Sequence, residues 1–231
     1  MRSWHGDRAL RNMLTGEVEI ALPDVGVLGA DLTVLRPGGS LVVFAHGSGS
    51  SRHSPRNQAV ARRLHAEGFG TLLLDLLTDA EDELERHGRR LRFDVDQLAD
   101  RLVGAVDWLD SHLEHPAGAL GYFGASTGAA GALVAAARQP ERIGAVVSRG
   151  GRPDLAGDML PIVQAPTLLI IGSHDPVVLG MNKQALARMR CPRHLELVTG
   201  ATHLFEEPGA LETVADLAAG WFARHLRGGG S

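Results

Sequence analysis

The stretch GALGYFGASTGAAGALVAAAR, residues 118–138, leads from an apolar segment into an alanine-rich one through Gly124-Ala125-Ser126-Thr127-Gly128. Residues 118–123 have the composition of a buried strand and 127–138 that of a helix, so the pattern G-x-S-x-G falls at a strand-to-helix turn. A serine at so tight a turn takes strained backbone angles. Glycines two before and two after it let strand and helix pass without a Cβ clash. The Ser126 hydroxyl is then raised above the sheet, beside a helix N-terminus that favours developing negative charge. A small-residue turn that only packs helix on strand is the plain alternative, and the flanking elements favour a nucleophile.

Upstream, residues 17–22 and 27–35 are predicted strands joined at Pro23, Asp24 and Gly26, and Pro37-Gly38-Gly39 leads into the all-apolar strand 41–45. A helix over 55–67 has Pro55 in its first turn and Gly68 at its end. Strand 71–77 follows, then a weakly periodic charged surface excursion over 78–93. The long helix 94–114 carries Val95, Leu98, Leu102, Val106, Leu109 and Leu113 on one face. Downstream come strand 143–148, an irregular segment with a small helix near 153–162, strand 167–172, helix 178–190, strand 194–199 and helix 208–227. Two leading strands and then repeated strand–helix units predict an α/β fold, a mostly parallel sheet with helices on both faces. No repeat or composition shift marks a second domain, so residues 1–227 are expected to form one. Gly228-Gly229-Gly230-Ser231 is a flexible tail outside it.

The 231 residues are 44% hydrophobic, enough for a sizeable core, which excludes an intrinsically disordered chain. A formal net charge of −4 leaves no basic excess to neutralise a run of phosphates, so no nucleic-acid partner is expected. Lys183 is the sole lysine beside many arginines, which reads as coding bias. The lone Cys191 excludes an internal disulfide framework and a cysteine-based zinc cluster. No apolar run reaches the roughly 18 residues that span a bilayer. Met1 to Asp7 lack the apolar stretch of a signal peptide. The expectation is a cytoplasmic protein without a membrane partner.

A serine hydroxyl needs a base, and the base needs an acid to fix its tautomer. Of eleven histidines, His203 lies just after the last predicted strand and before the final helix, where the fold order places a base. Asp175, in Gly172-Ser173-His174-Asp175-Pro176-Val177, directly follows strand 167–172; a turn aspartate before proline is its rival role. His46-Gly47-Ser48-Gly49-Ser50 directly follows strand 41–45. Its Ser48 N–H, together with the Thr127 N–H after the nucleophile, is the expected oxyanion hole, with Gly47 close to bound substrate. His46 is expected to buttress this loop. A phosphate cradle is the competing role for so Gly/Ser-rich a loop, but neither G-x-x-x-x-G-K-[ST] nor G-x-G-x-x-G occurs. His174-Asp175 and His112/His115 bring no third ligand and no H-E-x-x-H is present, so no metal is expected.

These motifs together resemble the α/β-hydrolase superfamily, in which the triad follows the chain order Ser…Asp…His. More narrowly, HGSGSSRHSPRN (46–57) and GYFGASTGAAGAL (121–133) look like its compact dienelactone-hydrolase-like branch. The resemblance covers nearly all of residues 17–226. It implies an eight-stranded, mostly parallel sheet with the second strand antiparallel, and ester hydrolysis through an acyl-enzyme without a cofactor. Dienelactone hydrolases proper use a cysteine nucleophile where this chain has Ser126, which favours a serine esterase.

Only about 18 residues, Arg149 to Pro166, separate two predicted strands, too few for a lid domain, so an open pocket and small soluble esters are expected. Phe93, with Leu76, Leu77 and Leu91, is a candidate apolar wall, with a plain solvent-facing loop as the alternative. Arg149 and Arg152 flank Gly150-Gly151 and are candidates for a substrate carboxylate, against the favoured alternative of structural ion pairing. The expected activity is hydrolysis of a small-molecule ester by Ser126, His203 and Asp175. Lactonase, thioesterase or perhydrolase chemistry with the same triad, or a non-catalytic ligand-binding module, are the rivals. A homodimer through helix 94–114 or the last helix is left open.

Overall fold

The structure, a computed structural model, describes residues 14–87 and 94–226. Eight strands, β1 (Leu14–Leu22), β2 (Gly26–Val34), β3 (Leu41–Ala45), β4 (Gly70–Leu74), β5 (Leu120–Ala125), β6 (Ile143–Arg149), β7 (Thr167–Gly172) and β8 (Arg193–Val198), form one sheet in the order β1-β2-β4-β3-β5-β6-β7-β8. β2 is antiparallel to both its neighbours, and β3 to β8 are parallel. The helices are α1 (Pro55–Ala66), α2 (Asp79–Arg86), α3 (Val95–His112), α4 (Thr127–Arg138), α5 (Pro176–Arg188) and α6 (Ala210–Leu226), with a 3-10 segment at Pro153–Met159.

β3, β4, β5 and β7 are buried along their whole length, as continuous apolar runs covered on both faces should be. The two edge strands read differently. β1 exposes Glu17 and Glu19, and β8 exposes Arg193 and His194, charges that blunt an open edge. Leu98, Leu102 and Leu109 of α3, Ala132, Ala135 and Ala136 of α4 and Val178 of α5 pack with Tyr122, Val146 and Ile171 on one face. Val60 and Leu64 of α1 and Val214 and Phe222 of α6 pack with Phe44, Phe123 and Val147 on the other. The neighbouring strands β3 and β5 thus send their following helices to opposite faces. Their loops diverge and open a crevice at the carboxyl edge of the sheet.

The elements follow the sequence reading with shifts at their ends. Strand 71–77 stops at Leu74, and the predicted strand 118–123 lies two residues later, at 120–125. The excursion over 78–93 contains α2, begun by a capping box in which Thr78 and Glu81 exchange side-chain and backbone hydrogen bonds. Residues 88–93 of that excursion, Met1–Asp7 and the glycine tail lie outside the described residues. Between β6 and β7 only the 3-10 segment intervenes, and no lid domain is inserted there among the described residues. No helix among the described residues is long and apolar enough to cross a membrane.

Candidate active site

Ser126 sits between β5 and α4 with φ 50° and ψ −125°, a conformation that is strained for a residue with a Cβ. Its N–H donates to Arg149 O at 3.3 Å, and its carbonyl accepts from Arg152 N–H at 3.0 Å and Ala129 N–H at 3.2 Å. The glycine spacing has a steric cause. A Cβ on Gly124 would lie 2.4 Å from Ala129 Cα, and one on Gly128 would lie 2.4 Å from the carbonyl oxygens of both Ala45 and His46. Ser126 heads α4 without making a side-chain cap, so its hydroxyl is not committed to its own helix.

Asp175 and His203 meet across two loops. His203 Nδ1–H donates to Asp175 Oδ2 at 2.7 Å, and Asp175 Oδ1 caps α5 by accepting from Val178 N–H at 3.4 Å. The loops after β7 and β8 are cross-linked by Ser173 N–H to Val198 O (3.0 Å), His174 N–H to Ala201 O (2.9 Å) and Gly200 N–H to Ser173 Oγ (2.8 Å). Beyond the imidazole, Thr202 donates to Glu207 through its hydroxyl at 2.6 Å and its N–H at 3.0 Å, and the Thr202 hydroxyl leads the causes that hold the Glu207 carboxyl below its usual range. An ionised Asp175 only accepts, so the hydrogen sits on Nδ1 and leaves Nε2 bare. The Cε1 edge of the ring lies 3.5 Å from where a Cβ on Gly150 would be, and Gly150 follows the residue whose carbonyl holds Ser126 N–H. Ser126 Oγ forms no hydrogen bond with His203 in this arrangement; such bonds often tighten only with substrate.

The loop after β3 closes on the same turn. A Cβ on Gly47 would lie 2.9 Å from Ser126 Cβ, and Ser48 Oγ and Thr127 Oγ1 are 3.1 Å apart. Neither the Ser48 nor the Thr127 N–H has a backbone acceptor among the described residues. His46, 4% exposed, lies with Nδ1 3.0 Å from Gly47 O and with Nε2 accepting the Leu76 N–H at 3.0 Å, so its hydrogen is on Nδ1. Gly47 C=O and Ser48 N–H share one peptide plane, so this grip aims the Ser48 N–H. Leu76 O in turn accepts from Arg101 Nη1, and Arg101 pairs with Glu81 at 2.5 Å. Arg52 clamps the loop's far end on Asp75, at 2.7 Å through its N–H and 2.6 Å through Nη1. Sequence reasoning missed Arg101, although a signal existed: an arginine stands among Leu98, Leu102 and Ala105 on the apolar face of its helix.

The remaining candidates divide. Phe93 lies outside the described residues. Leu76 and Leu77 are core residues, 1% and 5% exposed, and do not wall an open pocket. Arg152 forms the expected structural pair, with Asp154, at 2.9 and 2.8 Å. Arg149 does not; it is 9% exposed, and its Nε and Nη1 have no hydrogen-bond partner among the described residues. Ion pairing is therefore not its role. No cluster of three or more metal-ligating side chains occurs among the described residues.

The model of the family described as Dienelactone hydrolase family matches residues 33–224. A Mycobacterium tuberculosis (strain ATCC 25618 / H37Rv) protein named “Putative phosphoribosyl transferase Rv0571c” is 53% identical over 214 residues, covering 93% of this chain and 47% of that protein. This chain thus spans about half the length of that relative. A crystal structure of dienelactone hydrolase from Anabaena variabilis ATCC 29413 is 50% identical, with TM-score 0.86 over 94% of this chain and 100% of the other. Est1E from Butyrivibrio proteoclasticus, solved with ferulic acid bound, shares the fold at 17% identity and TM-score 0.75 over 91% and 99% of the two chains. By profile, sequence and fold alike, the chain belongs to the dienelactone hydrolase family.

Proposed function

We propose that this chain hydrolyses small carboxylic esters with Ser126 as nucleophile, His203 as base and Asp175 as the acid that orients it. The observation that carries the proposal is the 2.7 Å Asp175–His203 bond beside a strained serine turn. Ser126 Oγ attacks the ester carbonyl carbon and its proton passes to His203 Nε2, while Asp175 stabilises the imidazolium through Nδ1–H. The carbonyl oxygen becomes an oxyanion that accepts from the Ser48 and Thr127 N–H groups. On collapse, His203 Nε2–H protonates the departing alkoxide. Water, deprotonated by the same nitrogen, then frees the acyl group. The membership of the family and the esterase neighbours of like fold support this chemistry. The serine in place of a thiol favours simple esters over dienelactones, and the uncovered crevice favours short acyl chains.

The name carried by the longer mycobacterial relative applies to a protein of which this match covers 47%. The test is turnover of 4-nitrophenyl acetate and butyrate, with lactone and thioester analogues alongside. Ser126→Ala is expected to lose about four to six orders of magnitude in kcat with an unchanged melting curve. Activity retained in that variant, or an inert wild-type chain, would overturn the proposal; the latter outcome would favour a ligand-binding module.

A further inference from the structure

Arg149 ends β6, one strand over from the serine turn, and its carbonyl holds the Ser126 N–H. Its side chain lies on the face that carries α1 and α6, the face of Val147. The guanidinium is nine-tenths buried and faces no carboxylate among the described residues; Nε and Nη1 are sealed without a hydrogen-bond acceptor. The one charged neighbour that shifts it is another cation, Arg56, in the first turn of α1. Burial first, and then Arg56, push the Arg149 guanidinium down to about 10, so it still carries its charge at neutral pH. Arg56 Nε is also sealed without a partner, and Arg56 Nη1 reaches only Glu206, at 3.2 Å, a carboxylate 64% exposed to solvent. The first turn of α1 contains no acidic residue. Gly150, next to Arg149, lies against His203 and Phe205, and Arg56 reaches the adjoining Glu206, so both arginines and the N-terminus of α1 come to one edge of the site with one screened carboxylate among them. Keeping the Arg149 charge out of water, with a second cation as its charged neighbour, costs free energy that an oxyanion between them would recover.

We propose that Arg149 and Arg56, with the N-terminus of α1, form an anion subsite next to Ser126 that takes a phosphate group carried by the ester substrate. The charge count favours phosphate over carboxylate. Two guanidiniums call for a dianion, and three acceptor oxygens can share the Arg149 guanidinium, the Arg56 guanidinium and the Arg56 N–H, the first-turn donor left by Pro55 and the Ser54 cap. This inference deepens the proposed esterase reading and rests on it for the placing of substrate. In the crevice, the anchored phosphate would set the ester carbonyl over the Ser126 hydroxyl, so recognition acts on the reacting group through a single rigid strand end.

The test measures competition by inorganic phosphate, and by acetate at the same ionic strength, against hydrolysis of 4-nitrophenyl acetate. Calorimetric titration of phosphate into the same proteins runs beside it. Phosphate is expected to compete with substrate and to bind at least about tenfold more weakly to Arg149→Met and to Arg56→Met. Acetate is expected to compete less than phosphate. Arg149→Met keeps the apolar stem and removes an uncompensated buried charge, so its melting temperature should be unchanged or higher. A lower melting temperature would make Arg149 a structural residue and overturn the subsite. Equal phosphate binding by wild type and Arg149→Met, or acetate competing as well as phosphate, would overturn it too. A chain that binds phosphate through Arg149 but hydrolyses no ester would overturn the esterase reading and leave the subsite standing.

Discussion

Gly128 touches two backbone carbonyls that cannot yield, those of Ala45 and His46 at the end of β3. Gly128→Ala is therefore expected to cost about 1–3 kcal/mol and to lower kcat, because the displaced β3 end carries the Ser48 N–H. Gly180, inside α5 with nothing within 4 Å of its added Cβ, is the control: Gly180→Ala should be neutral or stabilise by up to about 1 kcal/mol. Urea melts of the two variants check both. The Ser126 turn was legible in the sequence because its signature is compact: at fixed offsets from the serine, Gly124 clears Ala129 within the turn and Gly128 clears the end of β3. Asp175 and His203 were legible from their places at strand ends. Arg149 was legible as a residue of interest, but not its want of a carboxylate partner. Whether an arginine at a strand end finds a carboxylate depends on what the helices of that face bring to it, and here α1 brings Arg56.

At the scale of elements, α2 and α3 support the loop after β3 from a distance. Glu81, the closing residue of the capping box of α2, receives the Arg101 guanidinium of α3, and Arg101 donates on to the Leu76 carbonyl. Burial pushes the Glu81 carboxyl up, but hydrogen bonds from Arg101 and Thr78 outweigh it and hold it below its usual range. A carboxyl depressed in the folded state stabilises fully above its unfolded value of about 4.3, and the stabilisation is lost as pH falls through the folded value. Glu81→Gln should thus be less stable than wild type by about 1–3 kcal/mol at pH 7, since Arg101 is left buried without its full partner, and the gap should close below about pH 4. Chemical denaturation at the two pH values measures it. The capping box Thr78-x-x-Glu81 was present in the sequence, yet the charged, weakly periodic stretch around it read as a surface excursion; a local cap starts a helix that has few apolar residues to announce it. The early end of β4 had no local signal. Leu76 and Leu77 continue the apolar run, but the Leu76 N–H and C=O are taken by His46 and Arg101, not by a neighbouring strand.

For the whole molecule, the decisive fact is divergence. α1 and α4 leave adjacent strands for opposite faces, so the Gly47 loop and the Ser126 turn meet in the crevice that opens between them. Strand alternation in the sequence implied the layers, and the antiparallel second strand came with the family resemblance. The sites themselves depend on β5, β7 and β8 lying in register, which brings residues 126, 175 and 203 to one edge. A site assembled in this way exists only in the folded chain. The most direct test is reaction with a fluorophosphonate followed by mass spectrometry of the peptides. One adduct is expected, on Ser126, strongly slowed in His203→Ala and absent from the urea-unfolded protein. Labelling at another residue, or none on the native chain, would contradict it.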